Sequence, residues 1–392
     1  MLTRAIVRPL QAFLDTEVSG GVLLLAATIV ALTWANSPWS DSYEQVWTTR
    51  VGGGSTALHL PVDLRDWINE GLMTVFFFVV GLEIKRELTT GEMRTLRRAA
   101  LPAIAAVGGM AVPALIYLAF NAGSGDLRGW GVPMATDIAF AVSVLAVVGK
   151  NLPGGLRIFL LALAIFDDIA AILVIAFFYA GNIEPVFVLA AFAALLVVPL
   201  LRRFEISAPS VLLLPGIVAW LLMLRSGVHP TIAGVALAML MASAGPHSPL
   251  ARLEGGLHPW TSFAIVPLFA LANAGVSLAG AEIANALSSP VALGVFFGLV
   301  VGKLVGITGS SWLAVRLGVA RLPEAATWLQ LAGVSATAGI GFTVALFVAA
   351  LAFPEPGVQA DAKIGVLVGS LLAGALGAIL LRALRRRSTS AP

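Results

Sequence analysis

Residues 159–180 read FLLALAIFDDIAAILVIAFFYA, a run that is long enough to cross a bilayer and whose only charges are two adjacent aspartates. One ionised aspartate at mid-membrane costs about 2.5–3.5 kcal/mol on the lenient insertion scale, and a second one beside it adds like-charge repulsion. Asp167 and Asp168 therefore predict a bound partner. Protons and small hard cations fit best, because carboxylate oxygens are the ligands that such ions prefer.

The rest of the chain has the composition of a polytopic membrane protein. Of its 392 residues, 59% are hydrophobic and 11% are charged, whereas soluble domains are about 25% charged. We expect a single all-α membrane domain over 1–392 with short loops and no removable signal peptide. The apolar runs predict twelve transmembrane helices, at about 12–34, 67–84, 99–120, 129–149, 157–180, 183–201, 209–224, 227–243, 260–280, 291–315, 328–353 and 364–384.

The basic residues predict the orientation of the chain. Most of the 24 lysines and arginines fall in the connections on one side, and cytoplasmic loops retain such residues, so both termini are expected in the cytoplasm. The net charge of +3 therefore reports topology and not nucleic-acid binding. The absence of cysteine excludes disulfides and thiolate metal sites.

Two predicted spans carry helix-breaking residues beside polar ones at mid-depth. They are GWGVPMATDIAFAVS, with Pro133, Thr136 and Asp137, and GVSATAGIGFTVALF, with Ser335, Thr337, Gly339 and Gly341. Each comes second in a group of three spans, and the two groups run in opposite directions. The pattern predicts inverted repeats at about 99–180 and 291–384, whose interrupted fourth and eleventh helices cross near an ion site. The alternative is that the breaks only allow a kink or close packing.

Four ionisable side chains lie deep in the predicted spans: Asp137, Asp167, Asp168 and Lys303. Neighbouring helix positions point about 100° apart, so Asp167 and Asp168 cannot face the same partner. One of them can share a cation cavity with Asp137 while the other pairs with Lys303, which would then lose its proton when that partner is neutralised. The alternative for Lys303 is a purely structural ion pair.

Two polar regions lie outside the spans. Glu83, Arg86 and Glu87 at the end of the second span, with Glu254 and His258 before the ninth, indicate either a pH-sensing cluster or an ordinary solvated face. Residues 41–66 contain three consecutive glycines between two alternating stretches. That pattern indicates either a solvated loop or a small β-hairpin on the outer face. His229 and Pro230 indicate a helix boundary and not a ligand.

The chain resembles the bacterial NhaA family of sodium/proton antiporters. The resemblance covers essentially the whole chain and is carried, in this order, by GLEIKREL, PMATDIAFA, LAIFDDIAAI, LHPW, PLFALANAGV, GKLVGI and GIGFTVALFVA. The chain departs from the family pattern at Gly255, where a second histidine is usual, and at Leu304, where a proline is usual.

The resemblance implies roles for the site residues. Asp168 and Asp137 look like the cation ligands for Na⁺ or Li⁺, with Thr136 as a helper, and Asp167, Asp168 and Lys303 look like the proton-linked groups. The pH-response region would comprise Glu83, Arg86, Glu87, Glu254 and His258.

The resemblance also implies a transporter and not an enzyme. It would exchange Na⁺ for H⁺ electrogenically, without a cofactor, in the lipid of the bacterial inner membrane, as a homodimer joined through the outer hairpin. Two rivals remain from the residues alone. An intramembrane aspartyl protease would place Tyr-Asp and Gly-x-Gly-Asp strings around its aspartates, and an organic-solute symporter would need a larger polar pocket.

Overall fold

In the computed structural model, the described backbone covers residues 2–51, 60–91, 93, 95–149, 152–206, 208–243 and 248–389. The side chains of 2–17, 96–98, 281 and 384–389 are not described. The described residues are almost entirely helical and contain no β-strand. The all-α prediction is therefore confirmed.

Nineteen α-helices occur in the described residues. In chain order they are α1 (Leu2–Ala35), α2 (Ser40–Trp47), α3 (Leu64–Asp66), α4 (Met73–Thr89), α5 (Leu96–Asn121), α6 (Ile138–Val148), α7 (Gly154–Phe178), α8 (Pro185–Leu195), α9 (Val197–Arg203), α10 (Pro209–Ser226), α11 (Thr231–Leu240), α12 (Pro249–Trp260), α13 (Val266–Asn273), α14 (Gly280–Ser288), α15 (Pro290–Phe297), α16 (Lys303–Arg316), α17 (Trp328–Thr337), α18 (Phe342–Ala352) and α19 (Pro356–Thr389). A 3₁₀ helix over Leu127–Met134 precedes α6, and π-helical turns over Trp67–Leu72, Thr261–Ile265 and Gly298–Gly302 lead into α4, α13 and α16.

Nine helical runs among the described residues are long and apolar enough to cross a membrane. The bent pair α17 and α18 makes a tenth if it counts as one span. These runs support a multi-pass membrane protein. The predicted spans at 227–243 and 260–280 correspond to the ten-residue helix α11 and to the run from α12 to α13, and neither belongs to that set. The count of twelve therefore stays a prediction.

The chain forms two compact units. The first comprises Met1–Ala26, Thr95–Ala171 and Val276–Pro392. Its hydrophobic core joins residues of α5, α6, α7, α16 and α17, among them Leu101, Leu163, Ile307 and Leu331. Both predicted repeats lie mainly in this unit, while their inverted relation stays a prediction.

The second unit comprises Ala27–Arg94 and Ile172–Gly275. Its core joins residues of α4, α8, α10, α11 and α12, among them Phe78, Leu195, Ala219 and Leu237. Pro230 is the N-cap of α11, so the predicted helix boundary at His229 and Pro230 is confirmed.

The predicted hairpin at 41–66 is not seen. The first part of the predicted hairpin segment lies in helix α2, Ser40–Trp47, so the prediction of a strand there is wrong. Helical amphipathicity explains the difference, because Tyr43 and Trp47 lie one turn apart and are both buried. The only pairing in the described part of this segment is one antiparallel bridge between Arg50 and Asp63, and the glycine turn falls within 52–59, outside the described residues.

Two broken helices in the first unit carry the candidate site. After the 3₁₀ helix, Ala135 and Asp137 adopt extended backbone before α6 begins. The chain also leaves helical geometry between α17 and α18, which are bent by 50°. Gly339 lies in that second break, where a Cβ atom would stand 2.4 Å from the carbonyl oxygen of Leu299, so only glycine fits there.

Candidate functional site

A buried ion pair lies within the first unit. Lys303, the first residue of α16, places its Nζ 2.5 Å from Oδ2 of Asp167 on α7. Neither side chain has any solvent exposure. Burying two charges is favourable only when each is well partnered, so this pair predicts a functional or strongly positioning role.

Thr136 ties the ion pair to both broken helices. Its Oγ1 lies 2.6 Å from Oδ2 of Asp167 and 2.8 Å from the carbonyl oxygen of Ala338, and it accepts a hydrogen bond from Lys303 Nζ at 3.0 Å. A hydroxyl has one proton, so Thr136 donates to the carboxylate or to the carbonyl at any moment. The break before α6, the break after α17 and the ion pair are thus joined through one side chain.

The second carboxylate oxygen of Asp167 is unusual. Oδ1 is buried and has no hydrogen-bond partner among the described residues. A buried carboxylate oxygen normally accepts at least one hydrogen bond. Oδ1 is therefore an acceptor available to a proton, a water molecule or a cation.

Asp137 stands between two helix N-termini. Its Oδ1 accepts from the backbone N–H of Phe140 at 3.1 Å, and its Oδ2 accepts from the N–H and Oγ1 of Thr343 at 3.0 and 2.5 Å. Its own N–H donates to the carbonyl oxygen of Ile340 at 2.6 Å. A carboxylate at this place satisfies orphan donors and complements the positive ends of α6 and α18.

Asp168 is also buried, with 4% of its surface exposed. It follows Asp167 on α7 and therefore points to a different side of the helix from the partner of Lys303. That the two adjacent aspartates have separate partners stays a prediction. The described part of the chain contains no group of three or more His, Asp or Glu side chains arranged around a metal position.

Four polar side chains lie in or beside the second break: Ser335, Thr337, Thr343 and Ser370. Ser335 and Thr337 donate to carbonyl oxygens of their own helix, those of Leu331 and Val334. Sequence reasoning missed Thr343, near the start of α18, which donates to Asp137, and Ser370 on α19, which accepts from the N–H of Phe342. Thr343 had a detectable signal, a polar residue directly after the second break, whereas Ser370 had none beyond being polar within an apolar run.

The five predicted pH-response residues come together in the second unit. Arg86 on α4 contacts Glu254 on α12 and lies 3.2 Å from Glu87, and Nδ1 of His258 lies 3.1 Å from Oε1 of Glu83. The Arg86–Glu254 ion pair and the His258–Glu83 contact therefore both join α4 to α12. The other reading, a solvated face, does not describe Glu254, whose side chain is 10% exposed.

Glu254 is a carboxyl of this cluster whose pKa is shifted. Burial raises the pKa of the Glu254 carboxyl, the Arg86 guanidinium opposes that change, and the charge of Glu83 adds to it.

These features define a class of protein. A multi-pass helical chain that buries an aspartate–lysine pair between two broken helices has the architecture of an ion-translocating membrane protein.

Comparison with known proteins gives the family. A family model described as Na⁺/H⁺ antiporter 1 matches residues 11–381. The chain is similar to proteins named Na⁺/H⁺ antiporter NhaA. That of Rhodospirillum rubrum is 50% identical, with 96% of this chain and 98% of the relative covered. That of Nitrobacter hamburgensis is also 50% identical, with coverage of 95% and 91%. That of Albidiferax ferrireducens is 48% identical, with coverage of 98% and 100%.

The chain belongs to the NhaA family of Na⁺/H⁺ antiporters, as its sequence motifs predicted. This membership supports sodium/proton exchange across a membrane and is consistent with a protein that is not an enzyme.

Proposed function

We propose that this chain is an electrogenic antiporter that moves Na⁺ or Li⁺ out of the cytoplasm in exchange for protons. The proton gradient would supply the energy. The observation that carries the proposal is the fully buried Lys303–Asp167 pair beside Asp168, at the junction of two broken helices. Such charges are retained in a membrane interior where they bind and release ions.

Exchange follows from competition at one site. Deprotonated Asp168 and Asp137, helped by Thr136, would bind the cation, and protonation would expel it. Asp167 and Lys303 would carry protons with Asp168, because a cation near the ion pair weakens the hold of Lys303 on its proton. Occupancy of the site by either ion excludes the other, so the two fluxes are coupled.

The breaks supply a route for alternating access. Two inverted repeats would bring the interrupted helices across each other near mid-membrane, and their movement would open the site to one side at a time. The hydrogen bonds from Thr136 to Ala338 and from Asp137 to Ile340 support this arrangement, since they join the two breaks.

The proposal also includes regulation by pH, location in the membrane and dimerisation. The Arg86–Glu254 and Glu83–His258 pairs would set the response to cytoplasmic pH, supported by the raised pKa of Glu254. The protein would lie in the bacterial inner membrane, in contact with its lipids, with both termini cytoplasmic. It would form a homodimer through residues 41–66.

Ion flux tests the proposal directly. Everted membrane vesicles from a host without sodium/proton antiporters are acidified by respiration, and NaCl, LiCl or KCl is added while a pH dye reports the interior. We expect Na⁺ and Li⁺, but not K⁺, to collapse the gradient. Asp168→Asn and Asp137→Asn should abolish the response, whereas Glu184→Gln, at an exposed carboxylate, should retain it. Full activity in either aspartate variant contradicts the assignment.

Voltage dependence tests the electrogenic part separately. In proteoliposomes loaded with Na⁺, an inside-negative potential should accelerate Na⁺ efflux, because more protons enter than cations leave. A Na⁺ efflux rate that does not change with voltage would contradict electrogenic exchange but would still be compatible with electroneutral Na⁺/H⁺ exchange.

A further inference from the structure

The N-terminus of α18 shares its donors between two side chains. The N–H groups of Gly341 and Phe342 both donate to Oγ of Ser370 on α19, each at 3.3 Å. The next residue, Thr343, gives both its N–H and its hydroxyl to Oδ2 of Asp137. Ser370 is therefore a constant cap of α18, whereas Asp137 is a charged cap that can titrate or bind an ion.

The Thr343 hydroxyl has a different role from the Thr343 N–H. The N–H is fixed by the backbone of α18, but the hydroxyl proton turns about the Cβ–Oγ1 bond. With both donors in place, the two hydrogen bonds occupy Oδ2 of Asp137. Hydrogen bonds to a charged acceptor are about twice as strong as neutral ones, so displacing the hydroxyl has a real cost.

We propose that Thr343 is a positioning residue whose hydroxyl competes with the transported cation for Oδ2 of Asp137 and thereby lowers the affinity of the site. A cation can approach that oxygen only after the hydroxyl proton has turned away. This inference rests on the proposed role of Asp137 as a cation ligand. It assigns a function to a side chain that is 4% exposed and that binds no other described group through its hydroxyl.

A weakened site suits a carrier. A transporter must release its cation within each cycle, so an internal donor that returns to the carboxylate as the cation leaves favours release. Among the described residues, Ser370 accepts only from the N–H groups of Gly341 and Phe342, so these two hydrogen bonds do not depend on whether Thr343 or a cation occupies Oδ2 of Asp137.

The test uses three variants of the full-length protein in proteoliposomes, with Na⁺ as the probe at alkaline pH, where protons compete least. Thr343→Val keeps the shape and the backbone N–H but removes the competing hydroxyl. We expect its apparent KM for Na⁺ to fall by about threefold or more, without a matching rise in kcat. Thr343→Ser restores a hydroxyl and should return KM to within about twofold of the original value.

Ser370→Ala is the matched control, because it removes a hydroxyl from the same helix terminus without touching Asp137. It should lower thermal stability and leave the KM for Na⁺ within about twofold. An unchanged or raised KM in Thr343→Val overturns the inference, as does the same fall in KM in Ser370→Ala. If Thr343→Val does not fold, Na⁺ binding to purified Thr343→Ala decides in the same way. Failure of the proposed function itself is distinguishable, since the unmodified protein would then show no Na⁺-dependent proton flux.

Discussion

Lys303 Nζ on α16 lies 2.5 Å from Asp167 Oδ2 on α7, and both side chains are shielded completely from solvent. Thr136 contacts both partners from the break before α6. The ion pair is therefore held by three separate segments of the chain. Each of them can change the charge balance of the site when it moves.

Removing one charge of this pair should cost more than removing both. Lys303→Met leaves the Asp167 carboxylate buried without a counter-ion and should destabilise the protein by about 3–5 kcal/mol. The double variant Asp167→Asn/Lys303→Met should recover most of that loss. Thermal unfolding of the purified proteins, arranged as a double-mutant cycle, measures the coupling. A Lys303→Met protein as stable as the original would show that the pair is not a coupled unit.

The Thr136 hydroxyl should matter for turnover. Thr136→Val deletes the link between the ion pair and Ala338, at a loss of about 1 kcal/mol per hydrogen bond. We expect the rate of exchange to fall by about fivefold or more, and Thr136→Ser to preserve it, because serine retains the hydroxyl. Stopped-flow measurement of Na⁺-driven proton flux gives both rates. Equal rates in Thr136→Val and the original protein would show that the Thr136 hydroxyl does not contribute to exchange.

Close packing of α5 and α16 should be equally critical. A Cβ atom on Gly306 would stand 2.2 Å from the carbonyl oxygen of Gly108, so Gly306→Ala must push the two helices apart one turn from Lys303. We expect destabilisation of about 1–3 kcal/mol together with loss of exchange. Gly309→Ala on the same helix is the control, because nothing lies within 4 Å of its added atom. Thermal unfolding should show a lower stability for Gly306→Ala than for Gly309→Ala. A similar loss of stability in both variants would argue against the close contact between Gly306 and Gly108.

The pH response should depend on Glu254. Since burial raises its pKa, Glu254 takes up a proton at a higher pH than an ordinary glutamate, and the Arg86–Glu254 pair loses its charge early during acidification. Glu254→Gln imitates the protonated form. We expect lower exchange at alkaline pH and a flatter dependence on pH, measured in everted vesicles across a pH series.

A matched control for that series is Glu324→Gln, which changes an exposed carboxylate in the other unit and should leave the profile unchanged. A profile that is identical in Glu254→Gln and the original protein would exclude Glu254 from the response.

The sequence predicted those features that follow from local chemistry. Adjacent aspartates on a helix diverge, so the pairing of one of them with Lys303, which Asp167 makes, could be expected from their spacing. Likewise, Pro133 and the glycines around Gly339 predicted both breaks, because these residue types interrupt helices. Family motifs then gave the identity of the fold.

Other features depend on tertiary packing and had no local signal. Ser370 lies in an apolar stretch of α19, and only the position of α18 makes its hydroxyl a helix cap. In residues 41–66, the spacing of Tyr43 and Trp47 fits one face of a strand or one face of a helix equally well. The segment forms a helix that buries both rings. Periodicity over such a short stretch cannot distinguish the two.

Competition between Na⁺ and protons is the central claim, and cation-induced proton release from the purified protein measures it most directly. Na⁺ is added to detergent-solubilised protein across a pH series while calorimetry records binding and a pH dye records released protons. We expect Na⁺ to release protons, its affinity to weaken as the pH falls, and Asp168→Asn to show neither effect. Tight Na⁺ uptake that releases no protons and is indifferent to pH would contradict it.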